Sequence, residues 1–211
     1  MVELEHIQQD GAGKCGVACL EMIFKYYKIR YKKGDIWNSI RAPREDNQGE
    51  FARICSLAEY AIRKGLNATA YRGEANTCLS ILDRLEKLNM PAILSVRYEE
   101  TNLGHFIAYR GREDGYYFFN DPDPKAGKTP VKYSPYEIKE KWSSCGREVA
   151  GFEYAIFDGC AMPHTCKNNR CKRKYPILAP NKVPFSNKVP FSNLTICPYC
   201  NRINEIWSDT P

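Results

Sequence analysis

One change of period orders the chain. Val17, Leu20, Ile23, Phe24 and Tyr27 recur at helical spacing behind Cys15, Ile54, Leu57, Ala58 and Ile62 do the same within 51–63, and a third such pattern spans 76–88. The second pattern ends at Lys64-Gly65, a basic last turn followed by a glycine stop. Strand-type runs then follow at 92–98, 105–110 and 116–120, with one earlier at 68–72. A short helix at 135–142 and a strand at 152–157 complete an α+β domain, with helices at the front and an antiparallel sheet behind.

The chain has 211 residues, enough for one ordinary core plus a small appendage. Its longest apolar stretches, such as Val17 to Phe24 and Ala92 to Val96, fall far short of the roughly 20 residues that span a bilayer, so no membrane partner is expected. Met1 to His6 has neither the charged start nor the apolar run of a secretory signal, which makes the cytoplasm the simplest compartment. The formal charge of +6 sits in the last quarter: residues 160–211 hold eight Lys/Arg against Glu205 and Asp209, and the first 159 residues are balanced. We therefore divide the chain into a domain at 1–159 and a basic tail at 160–211.

Chemistry concentrates at Cys15. A thiolate is the nucleophilic form of cysteine, and a helix N-terminus beside a histidine favours it. Cys15 stands where the first helix begins, behind a loop containing Gly11 and Gly13. Of the three histidines, His6 lies on the approach to that loop and His164 among the tail cysteines, which leaves His105 as the base. The turn at Arg112-Glu113-Asp114-Gly115 makes 105–110 and 116–120 an antiparallel hairpin, so Asp121 returns to the end where His105 starts and is placed to hold its tautomer. Gln9 is the choice for a side-chain amide facing the developing oxyanion together with the Cys15 backbone amide, with Gln8 as the near alternative. Cys19, Cys55 and Cys78 lie on or near apolar helical faces and read as small core residues.

Together these motifs resemble those of the papain-like, bacteriocin-processing (double-glycine leader) peptidases. Gln9-x5-Cys15-Gly16-x-Ala18-Cys19-Leu20-x-Met22 resembles the nucleophile segment, and Gly104-His105-Phe106-Ile107 with Asn120-Asp121-Pro122 resembles the histidine and aspartate segments. The likeness covers about residues 5–125 and implies a papain-like fold in a stand-alone relative acting on a peptide or protein substrate. Deamidation of a glutamine side chain or acyl transfer would use the same thioester chemistry and residue types, so both stay open at this point. So does a non-catalytic reading, a zinc-containing module that binds protein or nucleic acid.

The tail carries a different signal. Cys197-Pro-Tyr-Cys200 has the spacing of a zinc knuckle, and Cys166 and Cys171 supply a second pair upstream of a loop at 172–196. Four thiolates would hold one structural zinc ion, which a segment with so few large apolar residues needs for stability. Cys160 or His164 could replace one of the four by spacing alone. Lys172-Arg173-Lys174 is a candidate contact for an acidic protein or nucleic acid. The tandem Asn181-Lys-Val-Pro-Phe-Ser and Asn187-Lys-Val-Pro-Phe-Ser copies read as a lengthened surface loop.

Overall fold

The structure, a computed structural model, describes residues 1–43, 49–98, 103–143, 151–157, 160–165, 170–172, 174–179, 194–196 and 203–205, of which 160–165, 174–179, 194 and 203–205 are described in their backbone only. In chain order the elements are α1 (Cys15–Tyr26), α2 (Lys33–Ile40), β1 (Arg41–Pro43), β2 (Glu50–Ala52), α3 (Ile54–Arg63), β3 (Ala68–Arg72), α4 (Cys78–Lys87) and β4 (Ala92–Tyr98). They continue with β5 (Leu103–Glu113), β6 (Tyr116–Asn120), a 3-10 turn (Pro124–Ala126), β7 (Val131–Tyr133), α5 (Pro135–Ser143), β8 (Glu153–Phe157), β9 (Cys160–Thr165), β10 (Lys174–Ala179), β11 (Leu194–Ile196) and β12 (Ile203–Glu205).

Eight strands form one antiparallel sheet in the order β12-β11-β3-β8-β4-β5-β6-β7. Alternation along the central strands splits their side chains between two cores. Ile93 of β4, Phe106 and Ala108 of β5, and Ala155 and Phe157 of β8 join a cluster built with α1, α2 and α3. Leu94, Val96, Ile107, Tyr109, Tyr154 and Ile156 point to the other cluster, which α4 and α5 close with Ile81, Leu82, Leu85, Ile138 and Trp142. The expected α+β arrangement of N-terminal helices packed on an antiparallel sheet is present, and α4 and α5 cover the second face of the sheet as well. The physical reason is legible in β4, whose run Ala92-Ile-Leu-Ser-Val96 is buried without a polar alternation, as a strand between two layers requires.

The faces differ in side-chain size. Ala68, Ala70, Ala108 and Ala155 pave the α1–α3 side, whereas Tyr71, Tyr109 and Tyr154 stand on the α4–α5 side. Helices can lie closer to the alanine face. Gly16 uses that closeness: a Cβ there would meet the Phe106 ring at 3.0 Å and Leu57 at 3.3 Å. The β5–β6 hairpin closes through Asp114 and Gly115, both at positive φ, with Glu113 opposite Tyr116. Helix α5 starts with a reciprocal cap, in which Glu137 N–H donates to Ser134 Oγ at 3.3 Å and Ser134 N–H to Glu137 Oε2 at 2.7 Å.

Residues beyond 159 contribute to the same sheet. β11 pairs with β3, Thr195 Oγ1 donates to the Ala70 carbonyl at 2.9 Å, and Ile196 is buried in the α1–α3 cluster. β9 and β10 pair separately. No described helix is long and apolar enough to cross a membrane.

Candidate active site

The nucleophile loop is shaped by its own chain. Gly13 sits at φ +74, and a Cβ there would come within 3.0 Å of the Glu50 carbonyl, so glycine suits both the backbone and the space. Lys14 is tied back by its N–H to the Gly11 carbonyl at 3.3 Å and by an ion pair with Asp10 at 3.3 Å, which Lys33 shares at 3.4 Å. Cys15 follows as the first residue of α1, where the helix dipole favours an anion.

His105 arrives from the other side. It lies opposite Val96 on β5 and so belongs to the α4–α5 face by alternation, at the end of the sheet where α1 begins. His105 Nε2–H donates to Asp121 Oδ1 at 2.7 Å. That leaves the other ring nitrogen for Cys15, whose thiol lies near enough to the ring for each to shift the other's titration. Both residues are buried, Cys15 at 8% exposure and His105 at 7%.

Asp121 is locked by the sequence around it. Its Oδ1 also accepts the N–H of Asp123 at 2.9 Å, an Asx turn built on Asp121-Pro122-Asp123, with Pro122 presetting its own φ. The N-terminal segment laces along this turn: Asn120 Nδ2–H donates to the Leu4 carbonyl at 3.0 Å, His6 Nε2–H to the Asp121 carbonyl at 2.8 Å, and Gln9 N–H to the Pro122 carbonyl at 2.8 Å. His6 thus holds the backbone of the turn. Gln9 is brought to the Asp121 turn, and its Oε1 is buried with no hydrogen-bond partner among the described residues. Gln8 is half-buried in the same segment.

Electrostatics separate Cys15 from its neighbours. Burial opposes its thiolate, but the His105 hydrogen bond and charge, with the backbone amides of Phe106 and Gly16, outweigh it and hold the thiol below its ordinary 9.0. Burial likewise opposes the imidazolium, yet the Asp121 and Cys15 bonds raise His105 from 6.5 to about 10. Both shifts run in the direction that favours a thiolate–imidazolium pair. One turn along α1, Cys19 donates its thiol to the Phe106 carbonyl at 3.3 Å, and burial drives it well above 9.0. Burial also pushes Cys55 up to about 12 and raises Cys78. These three are core thiols, protonated at neutral pH.

A cleft of about 210 Å3 opens beside the His105–Asp121 pair, with Tyr98, Asp123, Lys125 and Tyr133 among its walls. Neither Tyr98 nor Asp123 is among the site residues expected from the sequence. The Tyr98 hydroxyl donates to Asp123 Oδ2, and its ring lies 5.2 Å from that of His105 between centroids. The signal for Asp123 was its place in Asp-Pro-Asp; nothing in the sequence singled out Tyr98 among 14 tyrosines.

Of the zinc ligands expected in the tail, Cys166, Cys197 and Cys200 lie outside the described residues, as do the side chains of Cys160 and His164. Cys171 is half-buried against the α4–α5 cluster. Among the described residues no group of three or more His, Cys, Asp or Glu side chains is placed to hold a metal.

Residues 3–146 match the model of the Peptidase C39 family. Among solved structures, the chain is similar to a double glycine motif protease from an AMS/PCAT transporter, crystallised in complex with the leader peptide, at 24% identity over 74% of this chain and 91% of that one, with a TM-score of 0.53. It is similar to the peptidase domain of Streptococcus ComA, a bi-functional ABC transporter involved in a quorum sensing pathway, at 16% identity, 74% and 98% coverage and a TM-score of 0.56. A C39-like peptidase from Bacillus anthracis matches at 15% identity, 75% and 96% coverage and a TM-score of 0.57. At these identities the structures speak for a shared fold. No curated protein matches the chain. A family match that begins in the N-terminal segment and runs past the Asp121 turn, over more than half of the chain, makes this protein a member of the Peptidase C39 family and a cysteine peptidase.

Proposed function

We propose that the peptidase reaction runs through Cys15, His105 and Asp121, with Gln9 beside them, on a peptide or protein substrate. The observation that carries this reading is the position of His105, hydrogen-bonded to Asp121 and set close enough to the Cys15 thiol to shift its titration. The thiolate attacks the peptide carbonyl carbon, forming a C–S bond and an oxyanion. The backbone amide of Cys15 and the Gln9 side-chain amide are the donors for that charge. Imidazolium then gives its proton to the leaving nitrogen as the C–N bond breaks, and a thioester remains. Water, deprotonated by His105, attacks the thioester; the C–S bond breaks and the thiolate returns. Asp121 keeps the ring in one tautomer through both halves. The leader peptide named with the double glycine motif protease supports a peptide substrate here too.

The test is cleavage of a peptide library by the purified protein. Cys15→Ala and His105→Ala are each expected to lower turnover by more than about a thousandfold, with far-ultraviolet circular dichroism unchanged. Undiminished turnover in either variant would overturn the assignment.

Residues 160–211 form, in the same reading, a basic unit around one structural zinc ion held by Cys166, Cys171, Cys197 and Cys200. The Cys197-x2-Cys200 spacing supports it. Elemental analysis of the purified chain is expected to find one zinc per molecule, lost when Cys197 and Cys200 are both replaced by serine; a metal content independent of those cysteines would refute it. Lys172-Arg173-Lys174 would then offer a contact to an acidic protein or nucleic acid. A reducing compartment such as the cytoplasm suits both the thiolate nucleophile and the zinc thiolates.

A further inference from the structure

Four residues close a ring of contacts around the base. His105 Nε2–H donates to Asp121 Oδ1, and the same oxygen accepts the N–H of Asp123. The Asp123 carboxylate is itself held at both oxygens: Oδ1 accepts the Lys125 N–H at 2.9 Å as the cap of the 3-10 turn, and Oδ2 accepts the Tyr98 hydroxyl. Tyr98 completes the ring by placing its aromatic face near the His105 imidazole, at 5.2 Å and 49° between planes. The register of β4 on β5 explains the approach. Val96 stands directly across from His105, so Tyr98, two residues further on the same face, is its diagonal neighbour.

We propose that Tyr98 and Asp123 are positioning residues for the peptidase reaction: the Tyr98–Asp123 hydrogen bond fixes the Asp121 turn, and the Tyr98 ring fixes the imidazole against it. This rests on the reading of His105 as the base. Neither residue touches the scissile bond. Asp121 can turn about its side-chain bonds; the N-terminal segment holds the backbone at Asp121 and Pro122, and the Asx bond ties the carboxylate to the half-buried chain at Asp123. The hydroxyl of Tyr98 ties that chain to the central sheet. The lowered pKa of Asp123 fits the arrangement: burial opposes its charge, but the Tyr98 and Lys125 hydrogen bonds prevail and keep it ionised.

The titratable and charged groups around the ring are Cys15 and Cys19 from α1, Tyr98 and Arg97 from β4, Asp121, Asp123 and Lys125 from the turn after β6, and Lys141 from α5. Among the described residues, Asp121 hydrogen-bonds to the imidazole and, with Cys15, dominates its titration. Loosening the Asp121 turn therefore acts on the imidazolium first. His105 would lose its proton at a lower pH, and Cys15, deprived of part of its cationic partner, would ionise at a higher one. The window of the ion pair narrows from both ends.

The lower edge of that window can be read without a known substrate, as the acid limb of the pH dependence of iodoacetamide alkylation of the Cys15-bearing peptide, followed by mass spectrometry on the full-length protein. Tyr98→Phe keeps the ring and removes the hydroxyl; it is expected to move the acid limb up by about half a pH unit. Asp123→Ala should do the same, the double variant no more than Asp123→Ala alone, and Asp123→Asn, which keeps an acceptor for Tyr98, should recover most of the wild-type profile. A merely structural role would lower the melting temperature of Tyr98→Phe and leave the acid limb in place, and that result would overturn the proposal. Turnover surviving in Cys15→Ala or His105→Ala would instead overturn the reading beneath it, which keeps the two failures distinct.

Discussion

The two faces of the sheet solve packing in opposite ways, and the active pair takes one member from each. On the α1–α3 side, alanines and Gly16 bring helix and strand into close contact, so α1 delivers Cys15 to the start of β5. On the α4–α5 side, Tyr71, Tyr109 and Tyr154 stand on the sheet, and His105 lies at the end of that face with Tyr98 for a neighbour. Reactivity should thus depend on fine distances on the first face, and stability on buried volume in the second. The comparison can be broken by substitutions that change one property without the other.

The largest stability effect is expected on the aromatic side. Leu82 is fully buried in the α4–α5 core. Leu82→Ala should destabilise by about 2–5 kcal/mol in denaturant unfolding, as cavity-forming changes do, while the folded fraction alkylates Cys15 at the wild-type rate. A parallel loss of alkylation would mean that the faces are not separable.

A smaller loss of stability and a larger loss of reactivity are expected from Gly16→Ala. The added methyl meets the Phe106 ring at 3.0 Å, so helix or strand must shift by a few tenths of an ångström. The cost should be about 1–3 kcal/mol, with Cys15 alkylation at pH 7 slowed on the order of tenfold because the thiol and His105 move apart. Wild-type alkylation in this variant would show that the close approach serves packing alone.

The sequence carried much of this. A cysteine at a helix start, a histidine opening a strand and an Asp-Pro after the next strand are local features, and the Asp114-Gly115 turn is enough to bring the last two together. What escaped depended on distant parts of the chain. Helix α2 buries only Ile36 and Ile40, too few positions for a periodic signal, and β1, β2 and β7 are three residues each. The placement of α4 and α5 on the second face follows from which side of β4 and β5 remained open, a tertiary matter. Nothing in Leu194–Ile196 says that it pairs with β3, since a three-residue strand takes its register from the edge that receives it. Tyr98 was invisible for the same reason: its role comes from the β4–β5 register and from a turn more than twenty residues away.

The most direct measurement is the pH profile of Cys15 alkylation in the wild type and in His105→Ala. In the wild type the imidazolium persists until the pH passes about 10, and the thiolate persists as the pH falls until it crosses the lowered Cys15 pKa. Alkylation should therefore be fast at neutral pH. Without the imidazole, burial is opposed only by the Phe106 and Gly16 amides, and the rise in reactivity should move up toward pH 9. Superimposable profiles would contradict the ion pair on which the site is built.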